Sequence, residues 1–439
     1  MPKLPLEGIR VAEITVIFAG PSACQALGDL GAEVIKVQSL SLLPDTVIPP
    51  NTPREPTLTW GDAYPDRNSG ERPWNRSAGF NSRHRNKLRT TMDLTTPLGL
   101  EMFKRLIKVS DVFLENNGTD LMEKLGTTYD VLSKINPGLI MARMPAWGNT
   151  GPYAYYKGWG EHLEASLGHG ELRGYPDVGV AGNTTVFLGD SASPVNICFA
   201  IMMALHHRNK TGKGQLIELA QYENVLSHFT EAIMDYTMNG RVATTIGNRD
   251  VHGAAPSGCY RCKGDDKWVN ISVTSDEEWE GFCRALGNPS WSKDEKFADA
   301  LSRYRNQDEL DKLVQEWTQQ HDDYEVFHML QKEGAPAGLV MTERDVYEDP
   351  HMKARDWFEE LTVPDCGTHL YPGQWFKMSK TPLKTRIPPH GFGEDNEYVY
   401  KQIIGVTDEE YAELEREGHI GIVPDYYRTG PGAVKKESA

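Results

Sequence analysis

Residues 9–37 read IRVAEITVIFAGPSACQALGDLGAEVIKV. The segment begins with a short, β-branched apolar run, Ile9 to Ile14, of the kind that forms a buried parallel strand. Pro21 then stands at the first position of a helix, where proline is tolerated, and Gly31 ends that helix. A second apolar run follows from Ala32 to Val37. This strand–helix–strand unit predicts an α/β fold that begins with a parallel sheet.

The turn between this strand and this helix, Thr15 to Gly20, carries no phosphate-binding fingerprint. It has neither the G-x-G-x-x-G of a dinucleotide fold nor the G-x-x-x-x-G-K-[ST] of a P-loop. The unit is therefore Rossmann-like in topology only, and we expect neither NAD nor ATP to bind at this turn.

Changes of composition along the chain predict where domains begin and end. Prolines interrupt every periodic pattern between residues 40 and 80, and alternating helix and strand patterns follow. Near residue 240 a half-buried strand pattern is followed by three charged helical segments. We therefore predict a large domain over 1–239, a smaller α+β domain over 240–345 and a last part over 346–439.

Composition and charge exclude several classes of partner. The chain has 439 residues, with 46 Lys and Arg against 62 Asp and Glu, and a formal net charge of −16. Because nucleic-acid phosphates need a basic face, we expect no nucleic-acid partner. There is no run of about 18 apolar residues and no secretory signal, so we expect no membrane span. Six scattered cysteines are too few for a disulfide framework, which favours a reducing cytoplasm.

Motifs for metal or hydrolase chemistry are weak or absent. Cys259 and Cys262 have C-x-x-C spacing, but no second pair accompanies them. We interpret them as structural residues and expect no metal site. The sequence has no H-E-x-x-H zinc motif and no G-x-S-x-G nucleophile elbow.

The most informative segment is FLGDSASP, residues 187–194, which precedes a predicted helix from Pro194 to Arg208. It brings one carboxylate, Asp190, to the turn before the helix, where free N–H groups and the helix dipole stabilise an anion. From these residues alone, a role for Asp190 as the helix N-cap is favoured over a chemical role.

Short motifs follow one another in order along nearly the whole chain: Leu6–Val11, Ala19–Pro21, Leu30–Val37, Asn86–Lys87, Met92–Leu94, Glu115–Asn116, Leu125–Gly126, Asn136–Pro137, Gly174–Asp177, Gly189–Asp190, Thr211–Gln215, Ala255–Pro256, Phe282–Gly287, Gly334–Gly338 and Asp349–His351. Each motif is weak alone. Their ordered succession over residues 5–420 resembles the class III CoA-transferases, the group of formyl-CoA:oxalate and carnitine CoA-transferases.

This resemblance implies an overall architecture. Members of the family have a large Rossmann-like domain built from both chain ends, with a small domain inserted between them. The part over 346–439 would then be a linker and a return to the large domain. Two chains interlock like links in this family, so we expect a homodimer. A heteromer with a related subunit is the alternative, as in enzymes that resemble benzylsuccinate CoA-transferase.

The resemblance also implies that Asp190 is the nucleophile. Its carboxylate attacks a donor acyl-CoA to give a mixed anhydride, the CoA thiolate returns to give an aspartyl-CoA thioester, and a carboxylic acid then takes the CoA. The CoA thioester is thus a substrate, and no tightly bound cofactor is implied. The residues implied to contact CoA are Phe18, Ala19, Ser39, Met92, Asp93, Leu94, Thr95, Asn116, Asn117, Gly118, Lys124 and Lys157.

Two alternatives to a transferase stay open. The α-methylacyl-CoA racemases share the fold and the aspartate but add a histidine upstream, and Trp159 stands at that position in this chain. The chain would otherwise be a weakly catalytic partner subunit of a hetero-oligomeric CoA-transferase.

The acceptor acid is harder to predict. His162, His169, Arg173 and Trp159 lie just upstream of Asp190 and would suit an acid with a second carboxylate or an aromatic ring. A purely structural role is at least as well supported for each of the four.

Overall fold

The computed structural model describes residues 3–42, 64–184 and 186–428. Most of the proline-rich stretch predicted to be irregular, residues 43–63, lies outside the described residues. The chain divides into two compact units. The first comprises Met1–Leu167, Val186–His228 and Arg355–Ala439, and the second comprises Gly168–Thr185 and Phe229–Ala354.

These units begin and end at other residues than the predicted domains. The second unit starts at residue 229 rather than 240 and ends at 354 rather than 345. It also includes the segment 168–185, which the sequence assigned to the large domain. Everything after residue 354 belongs to the first unit.

Within the described residues, the first unit contains a six-stranded, all-parallel sheet in the order β3-β2-β1-β4-β5-β6. The predicted α/β class is thereby confirmed. The order reverses between β1 and β4, and in open parallel sheets ligands bind outside the carboxyl ends of the strands at such a point. The strands are β1 (Arg10–Ile14), β2 (Glu33–Gln38), β3 (Lys87–Thr91), β4 (Val112–Glu115), β5 (Ile140–Arg143), β6 (Gln215–Glu218), β7 (Ser257–Arg261), β8 (Trp268–Ser272), β9 (Ala337–Val340), β10 (Phe358–Val363) and β11 (Gly367–Pro372).

Helices of very different lengths connect these strands, and a π-helical segment covers Tyr398–Ile403. The α-helices are α1 (Ala19–Asp29), α2 (Pro73–Arg76), α3 (Ala78–Asn81), α4 (Pro97–Lys108), α5 (Leu121–Leu125), α6 (Tyr129–Ile135), α7 (Gly160–Ser166), α8 (His169–Leu172), α9 (Leu188–Thr211), α10 (Gln221–Leu226), α11 (Thr230–Asn239), α12 (Asp276–Ala285), α13 (Ala300–Arg305), α14 (Gln307–Thr318), α15 (Asp323–Lys332), α16 (Glu343–Glu348), α17 (Pro350–Ala354), α18 (Asp408–Arg416) and α19 (Asp425–Arg428).

Successive side chains of a strand point to opposite faces, and both faces are buried along strands β1 to β5, whereas β6 at the edge is mostly exposed. On one face, Val11 of β1 packs with helices α1 and α9, which contribute Leu27 and Ile201. On the other face, Phe113 of β4 packs with α4, and its ring meets that of Phe103 edge-on. Helices on both sides therefore hold the strand ends in fixed positions.

The predicted helices agree with the structure less well around α9 and α10. The helix predicted to begin at Pro194 starts six residues earlier, at Leu188, and Pro194 lies inside it. The helix predicted over residues 222–238 is two helices, α10 and α11, separated by a short break.

Helix α9 corrects the expectation of no membrane span in one respect. By length and composition alone, its 24 residues could cross a membrane. However, Ile197, Ile201 and Leu205 are buried in the core of the first unit. We therefore interpret α9 as a core helix.

The second unit has its own hydrophobic core. Strands β7, β8 and β9 form an antiparallel sheet, and helices α12, α14 and α15 pack on it. Ser275 begins α12 with a capping box to Glu278, as the charged first turn of that segment indicates.

Candidate active site

The turn after β1 lies at the reversal point of the sheet and is held by two side chains of the segment that follows β4. The amide of Asn116 accepts a hydrogen bond from the Val16 N–H (2.7 Å) and donates one to the Val16 carbonyl (3.0 Å). The amide of Asn117 donates to the carbonyl of Ile14 (2.7 Å). These amides fix the backbone that leads into α1.

Two residues next to this turn have backbone angles that are unusual for their type. Ile17 has a φ of 65° and Phe187 has a φ of 52°. A β-branched residue in the left-handed region is strained, and such strain collects at functional sites. Ile17 comes directly before Phe18, and Phe187 comes three residues before Asp190.

Asp190 lines a cavity of about 420 Å³ in the first unit, here called the Asp190 cavity. The turn after β1 provides Phe18, and the loop before α7 provides Trp159. Rings of Trp147, Tyr155 and Tyr156 also line it, and Tyr155 and Trp159 are largely exposed at its rim. The wall is therefore rich in aromatic surface, and Asp190 lines it together with the carboxylates of Asp120 and Glu161.

The position of Asp190 differs from the predicted N-cap. It is the third residue of α9, and Phe187 occupies the N-cap position. Glu164 of α7 is buried, and its carboxylate accepts hydrogen bonds from the N–H groups of Val186 (3.3 Å) and Leu188 (2.5 Å). Because Glu164 satisfies the start of the helix, the carboxylate of Asp190 is left to face the cavity.

The surroundings of Asp190 change its acidity. Burial raises the pKa of its carboxyl to about 6, although the Arg83 guanidinium lowers it and the Glu161 and Glu164 carboxylates raise it. The backbone N–H of Ala19 donates a hydrogen bond to the carboxylate and also lowers the pKa. Asp190 thus has the perturbed pKa that is typical of catalytic groups.

Gly160, the first residue of α7, lies directly against the carboxylate of Asp190. A Cβ atom at this position would be 2.4 Å from Oδ2 of Asp190 and 3.1 Å from Cδ1 of Phe187. Only a residue without a side chain allows this close approach. The sequence around Gly160 does not indicate this contact, because it involves a neighbour thirty positions away.

Arg83 is the other functional residue that the sequence analysis missed. Its guanidinium carbon lies 3.7 Å from the centroid of the Phe18 ring, and its Nη1 donates to the carbonyl of Gly79 (2.6 Å). Burial lowers the pKa of Arg83, and the Asp190 carboxylate raises it. The sequence around Arg83 has no periodicity or motif that indicates a cavity residue.

A second cavity of about 220 Å³ opens at the carboxyl ends of β1, β2 and β3, here called the Ser39 cavity. Ser39 follows β2, and Met92 to Thr95 follow β3. Val16 and Asn117 line both cavities. The two cavities are therefore neighbours on one side of the sheet.

The predicted CoA contacts fall into three groups. Lys124 lines neither cavity: it is 69% exposed on α5, and its ammonium pairs with Asp120. Ala19 is fully buried and reaches the site through its N–H only. The others line the Asp190 cavity (Phe18, Asn116, Asn117, Gly118, Lys157) or the Ser39 cavity (Ser39, Met92, Asp93, Leu94, Thr95, Asn117).

The four residues proposed for the acceptor do not form one group. Trp159 lines the Asp190 cavity. His162 is exposed, and its Nδ1 accepts a hydrogen bond from the Trp159 N–H (3.2 Å) at the start of α7. His169 and Arg173 belong to the second unit, where His169 stacks on Phe229.

Residues that could bind a metal are not grouped in the part of the chain that the structure describes. No three His, Cys, Asp or Glu side chains there are placed to hold one ion.

Comparison with known proteins decides the family. The sequence profile of CoA-transferase family III matches residues 6–396. The chain belongs to CoA-transferase family III. The enzyme is 31% identical over 419 residues to succinyl-CoA–D-citramalate CoA-transferase of Chloroflexus aurantiacus, covering 94% of this chain and 98% of that protein. It is 32% identical over 414 residues to the β subunit of succinyl-CoA–L-malate CoA-transferase of the same organism, covering 94% and 97%.

A solved structure shows the same fold. The CAIB/BAIF family protein from Brucella suis has a TM-score of 0.78 and 29% identity, with 91% of this chain and 99% of that chain covered. The predictions of a CoA-transferase and of an α/β fold are confirmed. The family III enzyme transfers CoA.

Proposed function

We propose that the enzyme moves CoA from a donor acyl-CoA to a carboxylic acid through covalent intermediates on Asp190. The observation that carries this proposal is the half-buried carboxylate of Asp190, which faces an aromatic cavity at the reversal point of the sheet. The ordered family motifs around it support the same role.

The first half of the reaction uses two attacks. An Oδ atom of Asp190 attacks the thioester carbonyl, the C–S bond breaks, and a mixed anhydride and CoA thiolate form. The thiolate then attacks the Asp190 carbonyl carbon of the anhydride, which releases the donor acid and leaves an aspartyl-CoA thioester.

The second half runs the same steps in reverse with another acid. The acceptor carboxylate attacks the aspartyl-CoA thioester, which gives a new anhydride and free thiolate. The thiolate attacks the acceptor's carbonyl carbon, so a new acyl-CoA leaves and the Asp190 carboxylate is restored. Each step exchanges activated acyl groups of similar energy, and no ATP is consumed.

The pKa of Asp190 suits this task. With a pKa of about 6, the carboxyl is about nine-tenths ionised at pH 7. It is also more basic than an ordinary carboxylate, and burial removes part of the water that would otherwise shield it. Both effects make it a better nucleophile.

The two cavities fit the two parts of CoA. We place the acyl group and the adjoining thiol end in the Asp190 cavity, and the nucleotide end near the Ser39 cavity. The shared lining residues Val16 and Asn117 support a continuous path between them. Lys157 at the rim offers a positive charge that the net charge of −16 does not provide.

The relatives suggest the class of acid. The two proteins from Chloroflexus aurantiacus carry succinyl-CoA, citramalate and malate in their names, all of which are short dicarboxylic compounds. We propose that this enzyme also acts on dicarboxylic acids.

Two alternative functions are less well supported. A racemase needs a second proton-transfer group near Asp190, and Trp159 occupies the position where the resemblance places that histidine. A partner subunit with little chemistry stays an alternative because one relative is the β subunit of its enzyme. The retained Asp190 and its perturbed pKa favour an active chain.

We also propose an interlocked homodimer, located in the cytoplasm. Helix α9 leaves Val195 and Phe199 largely exposed, as expected of a surface that another chain covers. All six cysteines are unpaired, as expected in a reducing compartment.

Trapping the covalent intermediate tests this function. Incubation with succinyl-CoA or butyryl-CoA and no acceptor should leave an adduct on the Asp190 peptide, which hydroxylamine converts to a hydroxamate detectable by mass spectrometry. Asp190→Ala should show neither the adduct nor transfer, whereas Asp130→Ala, an exposed control, should keep both. An adduct on another residue, or transfer by Asp190→Ala, would refute the mechanism. Exchange of an α-proton without an adduct would instead indicate a racemase.

A further inference from the structure

We propose that Arg83 binds the second carboxylate of a short dicarboxylic acyl group while the first is bonded to Asp190. This inference rests on the proposed function and adds to it a residue that selects the substrate. No sequence motif assigns a role to Arg83.

The guanidinium of Arg83 is held in place by two contacts. The ring of Phe18 covers one of its faces at 3.7 Å, and Nη1 donates to the Gly79 carbonyl at 2.6 Å. Among residues 3–42, 64–184 and 186–428, no acceptor is found for its Nε or Nη2. This edge of the guanidinium is the one that binds a carboxylate with two parallel hydrogen bonds.

The charge of Arg83 lacks a close ion-pair partner in the described part of the chain. No carboxylate oxygen there lies within 4 Å of it, although the Asp190 charge is near enough to affect it. A half-buried cation is costly unless an anion neutralises it. A bound carboxylate would provide that anion.

Acylation of Asp190 during the reaction increases the need for an anion beside Arg83. When Asp190 is acylated, its carboxylate becomes part of a neutral anhydride or thioester, and Arg83 loses its nearest opposing charge. A monocarboxylic acyl group brings no replacement. A dicarboxylic acyl group brings one, at the moment when the charge of Asp190 disappears.

The size of the site limits the length of the acid. Arg83 and Asp190 line the same cavity of about 420 Å³, and the thiol end of CoA must also enter it. The acyl group between the two residues must therefore be short, on the scale of succinyl.

Succinyl-CoA and butyryl-CoA give a matched test, because both acyl chains have four carbons and differ in a carboxylate against a methyl group. The measurement is the rate at which the donor acid is released and the aspartyl-CoA adduct forms in a single turnover without acceptor, at several donor concentrations. Wild type should prefer succinyl-CoA by about 100-fold or more. Arg83→Met should reduce the second-order rate with succinyl-CoA by about 10- to 100-fold, and with butyryl-CoA by less than about threefold.

Two further variants complete the experiment. Arg83→Lys keeps the positive charge but loses the two parallel N–H donors of the guanidinium, so it should lower the succinyl-CoA rate by about 10-fold. This variant also tests the inference if Arg83→Met does not fold. Arg105→Met removes an exposed arginine of α4 and should behave as wild type.

The outcomes separate this inference from the proposed function. If wild type releases the donor acid from both thioesters equally fast, or if Arg83 variants lose both activities to the same extent, Arg83 serves the reacting atoms or the thiolate and the inference fails. In that case the Asp190 adduct would still form. If wild type forms no adduct with succinyl-CoA and none with butyryl-CoA, the proposed function would be overturned instead.

Discussion

Among single residues, Asp190 links folding stability to pH. Its folded-state pKa of about 6 lies above the unfolded value near 4. Between these values the folded chain binds more protons, so stability falls as pH rises through this window. Asp190→Asn removes this effect. We expect the variant to exceed wild type in stability on the order of 1–3 kcal/mol at pH 7, with the difference disappearing near pH 4.

Thermal unfolding of both proteins across this pH range measures the difference. Asp130→Asn, an exposed substitution on α6, should show no comparable trend. A gap between wild type and Asp190→Asn that widens towards acid pH would contradict the raised pKa.

Gly160 provides a second prediction for a single residue. Gly160→Ala places a Cβ atom 2.4 Å from Oδ2 of Asp190, so the nucleophile must move. We expect about 10- to 100-fold lower transfer activity, because a displaced nucleophile loses alignment with the thioester.

The fold should change little, since alanine is a good helix former. Gly338→Ala is the matched control, as nothing lies within 4 Å of its new Cβ. Full activity in Gly160→Ala would show that the site has more room than the structure indicates.

Whether the sequence alone indicates the role of a residue depends on whether its contacts are with sequence neighbours or with residues distant in the chain. Asp190 lies in one of the ordered family motifs, so the resemblance singles it out without the structure, although its local pattern alone favours an N-cap. Arg83 and Gly160 could not, because each owes its role to residues distant in the chain. Lys124 shows the opposite case: its motif predicts a CoA contact, but its side chain lies on an exposed helix face beside Asp120.

Among the elements, the contact between α7 and α9 contributes to the raised pKa of Asp190, in addition to burial. Glu161 and Glu164 of α7 both raise the pKa of Asp190. Replacing either by glutamine removes a negative charge and should lower that pKa. The acidic limb of the rate profile, expected near pH 6 in wild type, should then move to lower pH.

The two variants differ in their effect on folding. Glu164 also accepts hydrogen bonds from the start of α9, so Glu164→Gln should lower thermal stability, whereas Glu161→Gln, at an exposed position, should not. Rate profiles and thermal scans of both variants distinguish the two roles. An unchanged acidic limb in both would mean that another group controls it.

The three adjacent strands β1, β2 and β3 carry a buried ionic cluster. Glu13 lies 3.4 Å from Nζ of Lys36 and 3.0 Å from Nζ of Lys87, and all three are almost fully buried. Burial raises the pKa of Glu13, but the two ammonium groups outweigh it, and the pKa lies below its ordinary value. Glu13→Gln would leave two buried cations without their shared anion.

We expect Glu13→Gln to destabilise the first unit by about 3–5 kcal/mol. Urea or thermal unfolding measures the loss, and Glu101→Gln, an exposed position on α4, is the control. A variant as stable as wild type would show that the lysines find other partners at low cost.

The elements themselves were predictable where local signals are strong. The first strand–helix–strand unit follows from its apolar runs and from Gly31 after the helix, although α1 begins at Ala19, so Pro21 is its third residue rather than its first. The start of α9 was not predictable, because proline is typical of a first helical turn and the cap comes from Glu164 on another helix.

For the whole molecule, the proposed interlocking predicts a dimer that survives dilution. Linked chains must partly unfold before they separate, so differently labelled samples should not exchange subunits when mixed. Light scattering gives the mass, and energy transfer between labels follows the exchange. Rapid exchange at low concentration would contradict interlocking, and a folded chain without activity on any acid would favour a heteromer.

Division into units was the least predictable feature at this scale. The change of composition near residue 240 marks the approximate start of the second unit, but segment 168–185 joins that unit from a distance. Such a long-range association leaves no trace in local composition.

The aromatic rim of the Asp190 cavity bears on how much activated acid the cell loses. A mixed anhydride exposed to water hydrolyses to two free acids, and the thioester energy is then dissipated. Tyr155 and Trp159 stand at the opening of the cavity, and we expect them to limit the entry of water to the proposed anhydride. Without them, we expect the same nucleophile to act as a slow thioesterase. The difference between a transferase and a wasteful hydrolase would then lie in a few rings that take no part in bond making.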